Sequence, residues 1–253
     1  MKESQKYPIE AFTLAMILFS TNMKVAMLLG ITIVFADVLL CVLCQMVPKK
    51  YTRAMYLITA VLYSAASFWA LVVAYIDPDW WTLMGMVCIG ALVIKHQYDR
   101  DMDEIDYDRI LFADAFAYAG LVFLGAVREY MSSATVMEFD LSTLPFVSGS
   151  YAKPMFGFIG AGLILALVNL IVAEVSLSRD SLWVAIPAVV LQVPFVWKNV
   201  SQVLGTVIGI ATMLVVFIFF RKKLIFSVTP KNITGIPLEM LTLGMMYMIF
   251  SIL

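Results

Sequence analysis

The sequence has few charged residues and few of the side chains on which enzyme chemistry depends. Only 14% of its 253 residues are charged, and it contains one histidine and three cysteines. A soluble domain typically has about 25% charged residues. No G-x-S-x-G motif, phosphate-binding glycine-rich loop or histidine spacing for a metal is present. The formal net charge of -1 also argues against a nucleic-acid partner, which requires a basic face.

The three cysteines do not form a complete metal-site pattern. Cys41 and Cys44 form a C-x-x-C, which places both thiols on one face of a helix. The pair is either a metal or redox pair or two small side chains packed in an apolar segment. No second C-x-x-C and no histidine cluster completes a four-ligand site, so we expect apolar packing.

A short acidic stretch, residues 96–109, contains the only D-x-D-x-D spacing of the chain. It lacks the glycine and the bidentate glutamate of a calcium-binding loop. We therefore expect a solvated connector in which His96 is exposed, with a cation site as the alternative.

Apolar residues are abundant, at 62% of the chain. They are grouped in runs of about 15–24 residues, close to the length that crosses a hydrocarbon core of about 30 Å. The sequence therefore predicts an all-α polytopic membrane protein. Nine segments are predicted, at 9–21, 25–47, 54–76, 80–95, 110–131, 154–177, 182–198, 200–220 and 233–253.

Segment length repeats in the order short, long, long. The short segments are 9–21, 80–95 and 182–198, so three units are predicted over 9–76, 80–177 and 182–253. Pro187 and Pro194 predict a broken half-helix in the third short segment, which is tolerated only where protein or a cavity surrounds it. Repeats of this kind, with interrupted helices, are typical of membrane transporters.

Basic residues are distributed unequally between the two sides of these crossings. One side holds Lys2, Lys6, Lys49, Lys50, Arg53, Lys95, Arg100, Arg109, Arg179, Arg221, Lys222, Lys223 and Lys231. The other side holds Lys24, Arg128, Lys153 and Lys198. Because basic loops stay in the cytoplasm, we predict a multi-pass protein of the cell inner (cytoplasmic) membrane with a cytoplasmic N-terminus and an external C-terminus. Arg128 is then outside and Arg221 inside, so the units that contain them form inverted repeats.

Ionisable residues inside apolar segments are costly and mark functional sites by default. Asp37 is the deepest, and a carboxyl there is expected to be either neutral or paired with a buried partner. It is a candidate proton- or sodium-linked site, and Asp114 and Glu239 are further candidates. Glu10, Asp114, Glu174 and Glu239 lie within about two turns of segment ends, where side chains can extend to the interface. We expect those four to be structural.

Three stretches resemble a known family. Gly125-Ala126-Val127-Arg128-Glu129 and the Ser-Ser-Ala-Thr that follows are similar to the G-A-[IV]-R-E-x-x-G-[AS]-G-T stretch of the Rnf/Nqr integral-membrane subunits. Residues 153–169 resemble the P-P-G-A-F-x-x-L-G-L-L-x-A-x-x-N segment of the same subunits. Residues 221–238, starting at Arg221, resemble the R-E-[RK]-L…V-P-K…R-G-[LV]-P-I pattern of the other subunit type. The family-motif residues are therefore Arg128, Glu129 and Arg221.

The resemblance implies two parts and a function. Residues 1–177 resemble a six-segment membrane domain of the RnfE/NqrD type, and 178–253 resemble an additional three-segment half of the RnfA/NqrE type. In the family these subunits belong to ion-translocating electron-transport complexes and share an iron–sulfur centre. The implied partners are the lipid bilayer and other membrane subunits of such a complex.

The family's cluster cysteines are missing. Their positions fall on Met16 or Ile17, on Lys95 or, with a shifted alignment, Cys88, and on Ala188. Iron–sulfur clusters require thiolate ligands. We therefore expect a diverged, non-catalytic subunit of a membrane oxidoreductase (translocase) complex without its own cofactor. The alternatives are a stand-alone transporter of an ion or small solute that uses Asp37, and a redox subunit in which Cys88 completes a cluster with a partner chain.

Overall fold

The computed structural model describes residues 7–46, 51–74, 79–99, 106–141, 144–172, 181–196, 201–223 and 233–251. These ranges contain nine α-helices, which confirms the predicted all-α class. The helices are α1 Ile9–Phe19, α2 Met23–Met46, α3 Thr52–Val73, α4 Trp80–Asp99, α5 Tyr107–Ser133, α6 Pro154–Val172, α7 Ser181–Gln192, α8 Gln202–Lys223 and α9 Ile236–Phe250. A hairpin of β1 Thr135–Val136 and β2 Phe139–Asp140, followed by a 3-10 helix Gly149–Ala152, lies between α5 and α6.

Five of these helices are long and apolar enough to cross a membrane. They are α2, α3, α5, α6 and α8. The shorter apolar helices are α1, α7 and α9, so the prediction that the first and third units begin with a short helix is confirmed. Nine crossings remain a prediction.

Two predicted lengths were wrong. The segment 80–95 forms a 20-residue helix, because α4 continues through the polar residues 96–99. Gln97 is buried and hydrogen-bonded, and His96 is half-buried, so this turn is not part of a solvated connector. The segment 233–253 was predicted to be long, but α9 has only 15 residues between Gly235 and Ser251.

Neighbouring helices of the chain run in opposite directions. In the α2/α3 pair, Ser67 in the second half of α3 donates a hydrogen bond to Thr32 in the first half of α2 at 3.1 Å. Contacts of the same antiparallel kind join three other pairs. Helix α3 meets α4 at Tyr63–Gly90 and at Tyr56–Tyr98, and α5 meets α6 at Leu124–Gly160 and at Gly120–Ile164. Helix α8 meets α9 at Arg221–Glu239, and at the other end Gly209 and Phe250 both lie beside Phe195. The ends of α5 and α8, which carry Arg128 and Arg221, therefore lie at opposite ends of the bundle.

Helix α1 is the centre of the bundle. Every residue of α1 is buried except Leu18, which is partly buried, and the helix contacts α2, α4, α5, α6 and α7. A helix that is apolar on all sides is stable only when protein surrounds it. Its 11 residues span about 16 Å, roughly half of a hydrocarbon core.

The other short helices pack around this centre. Helix α7 keeps Pro187 in its interior and ends at Gln192, two residues before Pro194. Helix α9 packs along α6, where Phe158 stacks on Tyr247 with ring centroids 4.8 Å apart. The predicted boundary between 1–177 and 178–253 therefore separates two helices, α6 and α9, that pack closely together.

Candidate functional site

Arg128 joins three parts of the chain at one end of the bundle. The side chain is only 3% exposed, and its Nη1 donates to the Ser20 hydroxyl at 2.6 Å. Its Nε and Nη2 donate to the carbonyl oxygens of Tyr151, Ala152 and Lys153 at 3.1–3.3 Å. The planar guanidinium can serve several acceptors at once. Arg128 therefore fastens the end of α1 and the segment before α6 to α5.

Glu129, the next residue of α5, has a similar role. One carboxylate oxygen accepts the Met23 N–H at 2.6 Å, and the other accepts the Met137 N–H at 3.0 Å. Met23 is the first residue of α2, so the carboxylate satisfies a free helix N–H and lies at the positive end of the helix dipole. Because both motif residues hold backbone, their geometry indicates a structural role.

Glu10 and Lys95 form a buried ion pair at the start of α1. Lys95 Nζ lies 2.7 Å from Glu10 Oε1, and the Glu10 side chain is 6% exposed. The ammonium also lies 5.9 Å from the centre of the Trp183 ring. Glu10, for which we expect a structural role, is therefore paired inside the bundle with a cation from α4. The contact joins α1, α4 and α7, the first helices of the three predicted units.

Asp37 is fully buried and is hydrogen-bonded to α4. Gln97 Nε2 donates to Asp37 Oδ1 at 2.7 Å and to the Asp37 carbonyl oxygen at 3.1 Å. The same amide contacts Cys41 Sγ, with an N–S distance of 3.1 Å. One buried partner of Asp37 is therefore the neutral Gln97 amide, which lies two residues beyond the segment end predicted for α4.

Asp114 on α5 lies in the same half of the bundle as Asp37. Helices α2 and α5 meet where Tyr118 packs over Gly30, and again where the Tyr107 hydroxyl bonds to Gln45. Both acids lie between these two contacts along their helices. Asp114 is fully buried.

We call the group Glu10, Asp37, Lys95, Gln97 and Asp114 the polar layer. Its members come from α1, α2, α4 and α5 and lie in the half of the bundle where α1 begins. Close by, the Tyr7 hydroxyl donates to Asn169 Oδ1 at 2.9 Å. The layer contains carboxylates, an amide and one ammonium, and a buried carboxyl of this kind can exchange a proton.

Glu239 lies in a separate group in the last unit. Arg221 Nε lies 3.2 Å from Glu239 Oε1, and the Ser181 hydroxyl also interacts with this carboxylate. Glu239 is also buried. A cavity of about 450 Å³ lies beside the pair, with Lys222 and Thr242 among its lining residues. Arg221 therefore fastens α8 to α9 through a side-chain carboxylate, whereas Arg128 binds backbone oxygens.

The cysteines are divided between two helices. Cys41 and Cys44 are on α2 and Cys88 is half-buried on α4, and all three are free thiols. In the described ranges no group of three or more His, Cys, Asp or Glu side chains could hold a metal ion. Met16, Ile17 and Ala188, at the other family cluster positions, are buried apolar residues. Three cysteines in the whole chain cannot supply the four thiolates of a cluster, so the chain by itself does not fit this cofactor.

Sequence reasoning missed Lys95, Gln97 and the Tyr7–Asn169 contact as site residues. Lys95 was counted as a loop cation and Gln97 as part of the hydrophilic connector. Lys95 follows 15 residues that contain no charged side chain, which was the one available signal that it belongs to the bundle. Glu174 lies outside the described residues.

Comparison with known proteins gives no relative. No family model, curated protein or solved structure matches this chain. The functional argument therefore depends on the geometry of the chain and on the short motifs of its sequence.

Proposed function

We propose that the chain is a multi-pass subunit of a bacterial inner membrane that resembles the Rnf/Nqr ion-translocating subunits and has no iron–sulfur centre of its own. The observation that carries the proposal is the position of α1. This half-length helix is buried on all sides and begins at the Glu10–Lys95 ion pair. Interrupted helices that meet inside a bundle mark the functional centre of inverted-repeat membrane proteins.

The alternating helix directions support inverted repeats. Helices α4–α6 run opposite to α1–α3, and α7–α9 run opposite to α4–α6, as units of three helices require. With nine crossings, the basic residues of the sequence are concentrated on the side where α1 begins, so this side is proposed to be cytoplasmic. The polar layer then lies in the cytoplasmic half of the protein.

The polar layer is proposed to handle the translocated ion. Lys95 compensates the charge of Glu10, and Asp37 is held in place by the neutral Gln97 amide. A carboxyl oriented by an amide can exchange a proton or a sodium ion without losing its position in the bundle. No electron-transfer step is assigned to this chain.

Composition of the purified protein tests the proposal. The chain would be extracted anaerobically in mild detergent, and iron, acid-labile sulfide and co-purifying subunits would be measured. We expect a stable membrane partner and no iron bound by this chain. Stoichiometric iron that disappears in Cys88→Ala would overturn the proposal and favour a redox subunit that shares a cluster with a partner.

A stand-alone transporter is the second candidate, and the buried Asp37–Gln97 contact favours it. If the chain purifies without a partner, it would be reconstituted in liposomes and proton and sodium fluxes would be measured. Asp37→Asn keeps an oxygen acceptor for Gln97 but cannot ionise, so flux should fall at least tenfold while the fold is kept. The matched control is Asp140→Asn on the exposed β2 strand, which should leave the flux unchanged. Equal flux in both variants would exclude Asp37 as the coupling acid.

A further inference from the structure

A second cavity lies between α2 and α3, outside the polar layer. Its volume is about 260 Å³, and it is lined by Thr32, Phe35, Ala36, Leu39, Thr59, Leu62, Tyr63 and Ala66. These positions are at mid-length of both helices, each of which is a candidate membrane span. Phe35 and Leu62 are 62% and 50% exposed, so the cavity opens on a surface of the bundle that fits contact with lipid chains.

Two hydroxyl groups in this cavity have no hydrogen-bond partner among the described residues. They are Thr59 Oγ1 and the Tyr63 hydroxyl, and both residues are less than 5% exposed. The hydroxyls of Ser67 and Thr32 beside Tyr63 give it no hydrogen, because Ser67 donates to Thr32 and Thr32 donates to the Leu29 carbonyl oxygen. A buried polar group without a partner is costly, and at this depth bulk water is not available to it.

The lining specifies what could occupy the space. Among the described residues no charged side chain lines the cavity, so an ionic ligand would be buried without compensation from them. The walls are mostly aliphatic and aromatic, which disfavours a cluster of waters, since each buried water needs two to four polar partners. Thr59 and Tyr63 are four residues apart on α3 and therefore lie on one face, so both can donate to one acceptor. A carbonyl oxygen has two lone pairs and accepts two such bonds.

We propose that this cavity binds a small, neutral, lipid-soluble molecule through its carbonyl oxygen, which accepts hydrogen bonds from Thr59 and Tyr63. The ligand enters sideways from the bilayer between Phe35 and Leu62. The cavity is slightly smaller than the roughly 300–1,000 Å³ of typical ligand pockets, which fits one compact ring system or a short branched chain. The site is independent of the proposed ion path.

Benzophenone is a suitable probe, because it is a compact neutral ketone that also cross-links to C–H bonds when irradiated. The full-length protein in detergent would be titrated with the probe, and the rise in melting temperature and the labelled peptides would be measured. We expect saturable stabilisation and labelling concentrated in residues 32–39 and 59–66.

Removal of the two hydroxyls tests the assigned contacts. Thr59→Val with Tyr63→Phe keeps the shape of the cavity and should weaken probe binding roughly tenfold or more. The matched control is Thr206→Val on α8, a helix that contributes no residue to the lining of the cavity; the affinity of this variant should not change. Should the double variant fail to fold, Ala66→Leu provides the test, because it narrows the mouth without removing a hydroxyl and should abolish the labelling.

The protein without ligand gives a second readout. Thr59→Val removes an unpartnered buried hydroxyl, so it should raise the melting temperature of the empty protein by about 2–4 °C while it lowers the stabilisation by the probe. If the Thr59 hydroxyl were only structural, its removal would lower both the melting temperature of the empty protein and the stabilisation by the probe. Labelling spread evenly over the lipid-exposed helices and unchanged in the double variant would overturn the proposal. A cross-link between the Leu62→Cys residues of two chains that prevents probe binding would also overturn the proposal, because a second copy of the chain would then cover the cavity.

Discussion

Glu10 and Lys95 show how a single ion pair can hold a short helix in the centre of a membrane bundle. Removal of one charge takes away the 2.7 Å contact that the other makes inside the bundle. We expect Glu10→Gln to destabilise the protein by about 1–3 kcal/mol, less than for a fully buried pair because the Lys95 side chain is 23% exposed. Unfolding in mixed detergent micelles, followed by circular dichroism, measures the loss.

The double variant distinguishes the pair from general packing. Glu10→Gln with Lys95→Met removes both charges and should recover part of the lost stability. The Lys24–Glu138 pair is the control, because Glu138 is 83% exposed and such pairs contribute about 0–1 kcal/mol. Equal effects of Lys24→Met and Lys95→Met would contradict a buried, interacting pair.

Arg128 leads to a second prediction at the scale of one residue. Its guanidinium donates to one hydroxyl and three carbonyl oxygens, and a lysine ammonium cannot reach all of them from one position. Arg128→Lys should therefore destabilise the protein by about 2–4 kcal/mol. Limited proteolysis should show faster cleavage between β2 and α6. The control is Lys153→Met, an exposed cation in the same region; cleavage at the wild-type rate in Arg128→Lys would refute this role.

The packing of α6 against α9 depends on Gly162. A Cβ atom there would lie 2.7 Å from Leu241 Cγ and 2.7 Å from the Pro237 carbonyl oxygen. The backbone oxygen cannot move away easily, so the steric cost exceeds the gain of about 1 kcal/mol in helix propensity. We expect Gly162→Ala to lower stability by about 1–2 kcal/mol in thermal unfolding.

A second glycine provides the comparison. A Cβ at Gly149 meets no atom within 4 Å, so Gly149→Ala should change stability by less than about 0.5 kcal/mol. A neutral Gly162→Ala would show that α9 is free to shift on α6.

The start of α4 gives a prediction about pH. Asp79 Oδ1 accepts the Thr82 N–H at 2.8 Å and caps the helix. Hydrogen bonds from the Thr82 side chain and backbone lower the pKa of this carboxyl from its ordinary value of 3.8. Because the folded-state pKa is lower than the unfolded one, the cap contributes its stability above about pH 4 and loses it as the pH falls through the folded pKa.

Asp79→Ala should destabilise α4 by about 1 kcal/mol at pH 7, with faster hydrogen exchange in its first turn. Asp79→Asn keeps an oxygen acceptor that does not titrate. Between pH 6 and pH 3, the melting temperature of Asp79→Asn should therefore fall by less than that of the wild type. Identical pH profiles for the wild type and Asp79→Asn would show that this cap does not contribute.

Helix positions could be predicted from the sequence because apolar runs of this length have few alternatives in a membrane. The end of α4 could not, because Gln97 and His96 read as solvated residues until Asp37 and Cys41 are seen to pack against the helix. Similarly, the ion pairs of Glu10 and Glu239 were not predicted, because their cationic partners, Lys95 and Arg221, are on other helices. Buried pairs between distant segments leave no local pattern.

At the scale of the whole molecule, the position of α1 was only partly predictable. Its short length was visible in the sequence, but its burial on every side depends on five other helices. The distribution of basic residues predicts that successive segments cross in opposite directions, and the helix contacts show successive helices running in opposite directions. Which end of the bundle faces the cytoplasm is predicted from the basic residues alone.

Labelling of single cysteines in intact cells tests this orientation. In a variant with Cys41, Cys44 and Cys88 replaced by alanine, a new cysteine would be placed at Tyr98, at the end of α4, or at Glu138, after α5; both side chains are at least 75% exposed. A membrane-impermeant maleimide should label Glu138→Cys in intact cells and Tyr98→Cys only after the cells are broken, since α5 lies between the two positions. A reversed pattern would invert the proposed orientation, and labelling of both from one side would show that α5 does not cross.

A phosphatase fused to the C-terminus should be active outside, because nine crossings from a cytoplasmic N-terminus end on the external side.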